Sequence, residues 1–270
     1  MPEGHTLHRL ARRHQALFAR RPVAVSSPQG RFADSAALLD GQVLTRAEAH
    51  GKHLFHRFGP DLVVHVHLGL YGTFDDGELP APEPRGQLRL RYVGETHFAD
   101  LRGPTACELL TRAEVRAIRE RLGPDPLRRD FDAERVWERI SRSASPLATL
   151  LMDQKVLAGV GNVYRAELLF RHGLDPQIPG RALDRGTWDA MAPDLVGLMR
   201  DGVRRGRIDT VRPEHDPRRK GQAARKDRHG GEVYVYRRAG MPCLVCGTEV
   251  RTSTHAARNL FWCPTCQATP

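Results

Sequence analysis

Four cysteines near the C-terminus constrain the fold of this chain more than any other sequence feature. They follow the pattern Cys243-x2-Cys246-x16-Cys263-x2-Cys266. Each CxxC pair can supply two thiolates from one tight turn, and two such pairs complete a tetrahedral zinc site. Because protein thiolates fill all four positions, we predict one structural zinc ion in a small hairpin. The fifth cysteine, Cys107, lies outside the pattern, and we interpret it as a small buried apolar residue.

Composition and charge favour an anionic partner. The 270 residues are enough for one large or two ordinary domains. The net charge of +10 and the isoelectric point of about 9.9 are typical of proteins that bind nucleic acid. No apolar run approaches the ~18 residues of a membrane helix, and no secretion signal is visible. We therefore expect a cytoplasmic protein that does not contact membranes.

The first half of the chain has the pattern of a helix followed by short strands. Apolar residues recur with the helical period over 6–20, with arginines on the opposite face. The segment DLVVHVHL alternates, so Leu62, Val64, Val66 and Leu68 share one face of a strand. Similar runs lie at QVLTRAEAHG, KHLFHRF, GQLRLRYVG, ETHFADL and TACELL, with turn signals at Gly59-Pro60, Asp75-Asp76-Gly77 and Pro80–Gly86. This spacing predicts an antiparallel sandwich or barrel.

The second half is helical. The segment LGPDPL at 122–127 has the composition of an interdomain linker. Ser145 and Pro146 resemble an N-cap followed by proline at the first helical position. The basic segment 213–231 holds six Arg/Lys and three acidic residues, which predicts a mobile loop. Helices are predicted at roughly 131–141, 146–155, 162–172 and 187–205.

A glycine turn interrupts the helical half. Gly159 and Gly161 separate one predicted helix, which ends near Lys155, from another that begins at Asn162. Glycines allow tight turns and a close backbone approach to a ligand, and the helix start that follows is suited to binding phosphate. Asn162 could cap that helix or donate to the phosphate. The same segment could equally be an ordinary helical hairpin, and physical reasoning alone leaves both open.

Several motifs, in order along the chain, resemble the formamidopyrimidine-DNA glycosylase/endonuclease VIII family. They are MPEG at the start, GKHLF at 51–55, HLGLYG at 67–72, LGPDPL, LMDQKVLAGVGNVYRAELLF, and the finger that ends in FWCPTCQ. The resemblance implies an α+β multidomain fold, with DNA bound in the cleft between its halves. The implied parts are an N-terminal catalytic antiparallel β-sandwich flanked by an N-terminal helix (1–122), a helix–two-turns–helix DNA-binding domain (123–212), a basic mobile loop and connector (213–239) and a four-cysteine zinc finger (240–270).

The chemistry available to the first residues supports the resemblance. Removal of Met1 would expose the secondary amine of Pro2, whose attack on the deoxyribose C1′ gives an iminium that is cationic without a proton. The adjacent Glu3 can donate a proton to the opening sugar ring. By resemblance, Lys52 is the second cation of the site, near the phosphate or the departing base. Only four lysines occur in the chain, which weakens the alternative of an ordinary surface residue.

The resemblance also implies the residues that contact DNA. Asn162 and Arg258 are expected at the phosphates, and Leu70 and Tyr71 at the gap left when a nucleotide is flipped out. Packing at a strand end is the alternative role of the last two. Lys155, before the glycine turn, completes the predicted DNA-binding set together with Arg102. The expected partner is damaged double-stranded DNA, bound by a monomer in the nucleoid.

Three departures from the family pattern bear on the substrate. Thr6, preceded by His5, stands where a carboxylate is usual, and Gly69 stands where endonuclease VIII has a polar wedge residue. The segment DLRGPTACELL lacks the Arg-Phe pair of the 8-oxoguanine enzymes, which Arg102 could partly replace. These differences favour oxidised pyrimidines over 8-oxoguanine, with strand cleavage by β/δ-elimination. The alternatives are a DNA-binding protein specific for damage or abasic sites with weak or no glycosylase activity, and a zinc-ribbon module joined to an unrelated β-domain.

Overall fold

A computed structural model describes residues 2–221, 231–255 and 258–268. The chain divides into two compact units, residues 1–121 and residues 122–270. The first unit is a β-sandwich with flanking helices, and the second is a helical bundle that ends in a finger hairpin. The prediction of an α+β fold with an N-terminal sandwich is confirmed.

Two antiparallel sheets form the first unit. One has the strand order β1-β3-β4-β5-β9, and the other has the order β2-β7-β8-β6. The strands are β1 (Arg21–Pro22), β2 (Ala24–Ser26), β3 (Val43–His50), β4 (His53–Phe58), β5 (Leu62–His67), β6 (Thr73–Glu78), β7 (Leu88–Val93), β8 (His97–Arg102) and β9 (Ala106–Leu110). The helices of this unit are α1 (Gly4–Phe18), α2 (Ala33–Leu39) and α3 (Arg112–Glu120).

The alternating pattern of β5 fills the sandwich core as predicted. Val64, Val66 and Leu68 are buried in one cluster, and Leu62 packs against its edge. Cys107 lies in the same cluster, where burial raises the pKa of its thiol to about 12. The interpretation of Cys107 as a small apolar residue is therefore confirmed.

One turn prediction in this unit is wrong. The Asp75-Asp76-Gly77 signal lies inside β6, where it pairs with β8. Gly77 is opposite Phe98, and a Cβ at this position would lie 3.0 Å from the Phe98 ring. Glycine therefore marks a close side-chain approach in a strand rather than a reversal of the chain.

In the second unit, the residues that the structure describes form four helices and one hairpin, which pack around a second core. The helices are α4 (Ala133–Ile140), α5 (Leu147–Leu150), α6 (Asn162–Arg171) and α7 (Arg185–Arg205). The hairpin is formed by β10 (Arg251–His255) and β11 (Arg258–Trp262). Short 3-10 turns lie at Gly180–Ala182, Pro213–His215 and Pro217–Lys220. The predicted mobile loop lies in part outside the described residues, at 222–230.

The predicted helix over 146–155 is wrong beyond its first turn. Helix α5 ends at Leu150, and residues from Leu151 onward form turns. The N-cap prediction is also wrong, because Pro146 rather than Ser145 occupies the cap position and no side chain caps the helix. Among the described residues, no helix combines the length and apolarity needed to cross a membrane.

A buried polar network fixes α1 to both sheets of the sandwich. Nδ1 of His14 on α1 lies 2.9 Å from Nε2 of His56 on β4, and Nδ1 of His56 lies 3.2 Å from the Tyr92 hydroxyl on β7. All three side chains are fully buried. Burial, partly offset by nearby Asp76, lowers the pKa of His14 to about 4, and burial lowers the pKa of His56 as well. Both rings are therefore neutral at pH 7.

We predict that this network makes the fold sensitive to mild acid. A histidine whose pKa is lower in the folded chain stabilises the fold above its unfolded pKa of about 6.5, and that contribution is lost as the pH falls towards 4. For His14 the loss between pH 8 and pH 5 is about 2 kcal/mol. The free energy of unfolding, measured with urea at pH 8 and at pH 5, should therefore fall by about 2 kcal/mol less in His14→Phe than in the unmodified chain.

The control is His97→Phe on β8, where the ring contacts the adjacent Thr96 hydroxyl. This variant should keep the pH dependence of the unmodified chain. Equal pH dependence in His14→Phe and the unmodified chain would contradict the assignment.

Candidate active site and nucleic-acid interface

Helix α1 runs antiparallel to β3, and this places the chain start at the turn that carries Lys52. The backbone N–H of Arg20 donates to the Leu44 carbonyl, and the N–H of Ala47 donates to the Gln15 side chain, each over 2.7 Å. From Gln15 back to the helix start is about 16 Å at the helical rise. From Ala47 on to the β3–β4 turn is about 13 Å along the strand. The two lengths are similar, so the first residues and Lys52 lie at one end of the sheet.

Glu3 occupies the N-cap position of α1. Its backbone is extended, with φ −118° and ψ 179°, and its side chain makes no capping hydrogen bond. The residue is fully buried, whereas Pro2 is half-buried. A carboxyl group at the start of a helix is stabilised by the positive end of the helix dipole.

Lys52 is half-buried in the turn between β3 and β4, next to several histidines. The positive charge of Lys52 contributes, after burial and His65, to a lowered pKa of His67. His67 pairs with His53 across β4 and β5. This register places the loop that follows β5 beside the turn that precedes β4.

That loop exposes the two predicted wedge residues. Leu70 is 56% exposed and Tyr71 is 83% exposed. Gly69 before them has φ +66°, and a Cβ at this position would lie 1.8 Å from Oγ1 of Thr105. The departure at Gly69 therefore has a local cause, because no side chain fits there. The alternative of core packing is wrong for Leu70 and Tyr71.

Arg102 ends β8 at the same end of the sandwich, opposite Thr73. Its guanidinium donates to Asp75 over 3.1 Å and to Asp100 over 3.0 Å. Two carboxylates therefore compensate its charge. A role of Arg102 at DNA stays a prediction.

Asn162 joins α6 to the finger hairpin within the second unit. Its Nδ2 donates to the carbonyl of Asn259 on β11 over 2.9 Å, and its Oδ1 accepts from the buried Arg165. The N-cap position of α6 is Gly161, so Asn162 does not cap the helix. Arg258, next to Asn259, is exposed. Asn162 is therefore hydrogen-bonded to the residue that follows Arg258 in the chain.

The glycine turn before α6 is held by Gln154. Its Oε1 accepts from the N–H of Gly159, and its Nε2 donates to the Val160 carbonyl, each over 2.9 Å. Gly159 has φ +91°, which explains the glycine. Lys155 is exposed beside this turn. The sequence motif contained Gln154, but its polar character alone did not indicate this role.

Glu167 is the other residue of this unit that sequence reasoning missed. It is fully buried on α6 and accepts from the backbone N–H groups of Tyr234, Val235 and Tyr236 and from the Thr210 hydroxyl. One carboxylate thus holds the chain on both sides of the 213–231 segment. A single acidic residue beside a run of apolar residues in α6, at RAELLF, is the signal that could have revealed it.

The four predicted cysteine ligands form one cluster. All four sulfurs lie within 4.8 Å of one another. The Sγ atoms of Cys243 and Cys266 are 3.9 Å apart, and those of Cys246 and Cys263 are 3.4 Å apart. Tetrahedral zinc with Zn–S bonds of ~2.3 Å separates its sulfurs by roughly 3.8 Å. The cluster therefore fits one structural zinc ion, as predicted.

Family models cover most of the chain. The formamidopyrimidine-DNA glycosylase N-terminal domain matches residues 1–107, and the H2TH domain of the same enzymes matches residues 122–213. The zinc finger found in FPG and IleRS matches residues 240–269. Endonuclease 8 1 of Mycobacterium tuberculosis is 58% identical over 99% of this chain and 100% of its own length.

The chain belongs to the formamidopyrimidine-DNA glycosylase/endonuclease VIII family. Endonuclease 8 of Escherichia coli K12 is also similar, with 30% identity over 99% of this chain and all of its own length. Members of the family are DNA glycosylases with abasic-site lyase activity. The chain is accordingly a DNA glycosylase that acts on damaged DNA.

Solved structures of the family share the fold. A Lactococcus lactis FPG mutant in complex with Fapy-dG containing DNA has a TM-score of 0.80 and 20% identity, and covers 99% of this chain and 100% of that one. The wild-type L. lactis enzyme with an oxidized pyrimidine containing DNA has a TM-score of 0.79 at 20% identity, with the same coverage. These likenesses show that the chain has the fold of the family.

We predict that the zinc site holds the hairpin that carries Arg258. Cys263→Ser should release the metal and weaken DNA binding, because metal binding contributes to folding of such fingers. Metal content is measured by atomic absorption and affinity by fluorescence anisotropy. Cys107→Ser, outside the cluster, is the matched control and should keep both the metal and the affinity for DNA. Full affinity in metal-free Cys263→Ser would show that the hairpin does not need the metal.

Proposed function

We propose that this chain is a bifunctional glycosylase and abasic-site lyase of base excision repair. It removes oxidised bases, chiefly pyrimidines, and then cleaves the strand by β/δ-elimination. The observation that carries the proposal is the convergence of the start of α1, the Lys52 turn and the exposed loop with Tyr71 at one end of the sandwich. A nucleophile, a cation and a wedge are the three parts that such chemistry needs.

Pro2 is the nucleophile of this proposal. An α-amine ordinarily has a pKa of about 8, so removal of Met1 would expose an amine with a usable neutral fraction at pH 7. Attack on C1′ forms the C–N bond and expels the base. The resulting iminium acidifies the C2′ hydrogen, so the 3′-phosphate can leave.

Glu3 is the proton donor to the sugar ring as it opens. Its complete burial supports this role, since a buried carboxyl group is shielded from exchange with bulk water. Lys52, half-buried across the same end of the sheet, supplies positive charge for the phosphate or the departing base.

In this proposal, Asn162 and Arg258 bind the phosphates near the lesion. The hydrogen bond from Asn162 to the Asn259 carbonyl supports a shared site, because it ties the start of α6 to the residue beside Arg258. Lys155, exposed before α6, adds charge on the same unit.

We further propose that one copy of the chain acts on nucleoid DNA. Leu70 and Tyr71 fill the gap of the flipped nucleotide.

A panel of single-lesion duplexes tests this function directly. Cleavage of duplexes with oxidised pyrimidines, well above that with 8-oxoguanine, is the expected result. Binding to the same duplexes without release of any base would favour instead a DNA-binding protein specific for damage. The absence of Arg-Phe in DLRGPTACELL is the sequence feature behind the substrate preference.

We predict that a blocked N-terminus abolishes covalent chemistry. Residues added before Pro2 turn its amine into an amide, which cannot form an iminium. Borohydride should then trap no complex with abasic DNA, whereas the unblocked chain should be trapped. Intact mass confirms whether Met1 has been removed, and anisotropy confirms that DNA is still bound. Undiminished trapping with the blocked chain would exclude Pro2.

We predict that Glu3→Gln impairs base excision more than cleavage of a preformed abasic site. A proton to the sugar ring is needed most while the base still has to depart, and loss of a general acid typically lowers a rate by about 10²–10⁴-fold. Single-turnover rates on a lesion duplex and on an abasic duplex give the comparison. Equal loss on both substrates would refute this role of Glu3.

We predict that Arg258 and Asn162 differ in salt response. Arg258→Ala should flatten the slope of log K against log salt by about 0.9, the contribution of one phosphate. Asn162→Ala should weaken binding but keep nearly the slope of the unmodified chain, since the asparagine side chain carries no charge. Arg251→Ala, an exposed arginine on the same hairpin, is the control. Unchanged affinity and slope in Arg258→Ala would remove this residue from the interface.

A further inference from the structure

Four histidines lie around the Lys52 turn, and the proposed function does not use them. His50 and His53 flank the turn, and His65 and His67 lie on β5. His53 pairs with His67 across β4 and β5, and Phe55 pairs with His65. Because side chains alternate along a strand, these rings lie on the opposite face from the sandwich core.

Two of these histidines, His53 and His65, form a continuous hydrogen-bonded chain with Glu108. Nδ1 of His53 lies 2.8 Å from Nε2 of His65, and Nδ1 of His65 lies 3.2 Å from Oε2 of Glu108 on β9. The His65 side chain is 5% exposed, whereas that of Glu108 is 56% exposed. The chain therefore leads from the Lys52 end of the sheet, through a buried ring, to solvent.

Packing holds the middle ring of this chain in place. The Phe55 ring stacks on His65, with centroids 5.2 Å apart and 23° between the planes. The guanidinium of Arg119 on α3 lies over the Phe55 ring, with its central carbon 5.0 Å from the ring centroid. His65 therefore has little freedom to rotate away from its two partners.

Glu108 determines the tautomers of both rings. A carboxylate can only accept, so Nδ1 of His65 carries a hydrogen and Nε2 of His65 has a lone pair. That lone pair accepts from Nδ1–H of His53. The remaining nitrogen of His53, Nε2, is then left with a lone pair that can take up a proton.

The surroundings of His53 are basic. The groups that act on it are His65 and His67 on β5, His50 on β3 and Arg121 after α3. Lys52 acts in turn on His67. Burial, followed by these charges, lowers the pKa of His53 to about 3. The ring is therefore neutral at pH 7, as its role as an acceptor requires.

We propose that His53, His65 and Glu108 form a proton relay from the Lys52 end of the sheet to solvent. The relay rests on the proposed function, because strand cleavage breaks the C2′–H bond and releases one proton. That proton binds Nε2 of His53, the Nδ1 proton of His53 passes to Nε2 of His65, and the Nδ1 proton of His65 passes to Glu108. Water then takes the proton from Glu108. Each ring gains one proton and loses one. His65 and Glu108 act through His53 and not on the sugar, so they are positioning residues.

The first test is independent of activity. Long-range ¹⁵N–¹H spectra of the histidine-labelled full chain report which ring nitrogen carries the hydrogen. The relay predicts one tautomer, protonated at Nδ1, for both His53 and His65. Glu108→Gln should mix the tautomers, because an amide can donate as well as accept. Mixed tautomers in the unmodified chain, or no change in Glu108→Gln, would overturn the relay.

The second test follows strand cleavage of an abasic duplex under single-turnover conditions. Glu108→Gln and His65→Phe should each cleave about 10²-fold more slowly, at the lower end of acid–base effects, with unchanged affinity for an abasic-analogue duplex. The phenyl ring of His65→Phe keeps the stack on Phe55 but carries no proton. Added imidazole should restore part of the rate, which a purely structural defect would not allow. Glu95→Gln, an exposed glutamate in the turn between β7 and β8, is the control.

The outcomes separate the relay from the function on which it rests. If the unmodified chain neither cleaves nor forms a borohydride-trapped complex, the proposed function fails, and the relay fails with it for lack of a proton to carry. If the unmodified chain cleaves and both variants match its rate, only the relay is overturned. Slower variants that imidazole does not restore would also overturn it and leave a structural role.

Discussion

The packing of α1 along β3 is the constraint on which the proposed chemistry depends. An amine at the start of a chain is a useful nucleophile only if the residues behind it are fixed, and chain termini usually fray. Here the helix begins at Gly4 and is held to the sheets by Gln15 and by the His14–His56–Tyr92 network. Because the helix is stiff, anchors in its last two turns also determine where its first residue lies.

In the second unit, buried hydrogen bonds likewise fix the residues that are proposed to bind phosphate. Helix α6 is buried along nearly its whole length, yet it carries Asn162, Arg165 and Glu167. Each of these polar groups is hydrogen-bonded: the first two contact the finger strand β11, and Glu167 holds the segment before the finger. Buried polar groups are tolerated only with partners. The helix therefore fixes the finger relative to its own first turn.

Local sequence patterns predicted much of this molecule. The alternation of β5, the period of α1 and the cysteine spacing all depend on residues close in sequence, and the structure confirms them. Helix α3 was missed, although Thr111 and Glu114 form a capping box at its start. Its apolar face is small, with Val115 as the buried residue, so few apolar residues mark this helix in the sequence.

The sequence motifs proposed the site residues, but they did not indicate the side chains that hold those residues in place. Gln154, Glu167 and the relay residue Glu108 act through partners that only strand register or helix packing brings near. Such contacts have no fixed sequence spacing, so no local pattern indicates them. The overlong prediction for α5 has a local cause, because the Asp153 side chain accepts from the backbone N–H of Lys155 and so competes with the helix for that group.

The central claim is that the first residues of the mature chain perform the covalent chemistry. The most direct measurement is tandem mass spectrometry of the adduct formed with abasic DNA and reduced with borohydride. After digestion, the sugar remnant should be found on the nitrogen of Pro2, in an N-terminal peptide that lacks Met1. A remnant on the side chain of Lys52, or on any other residue, would contradict the account.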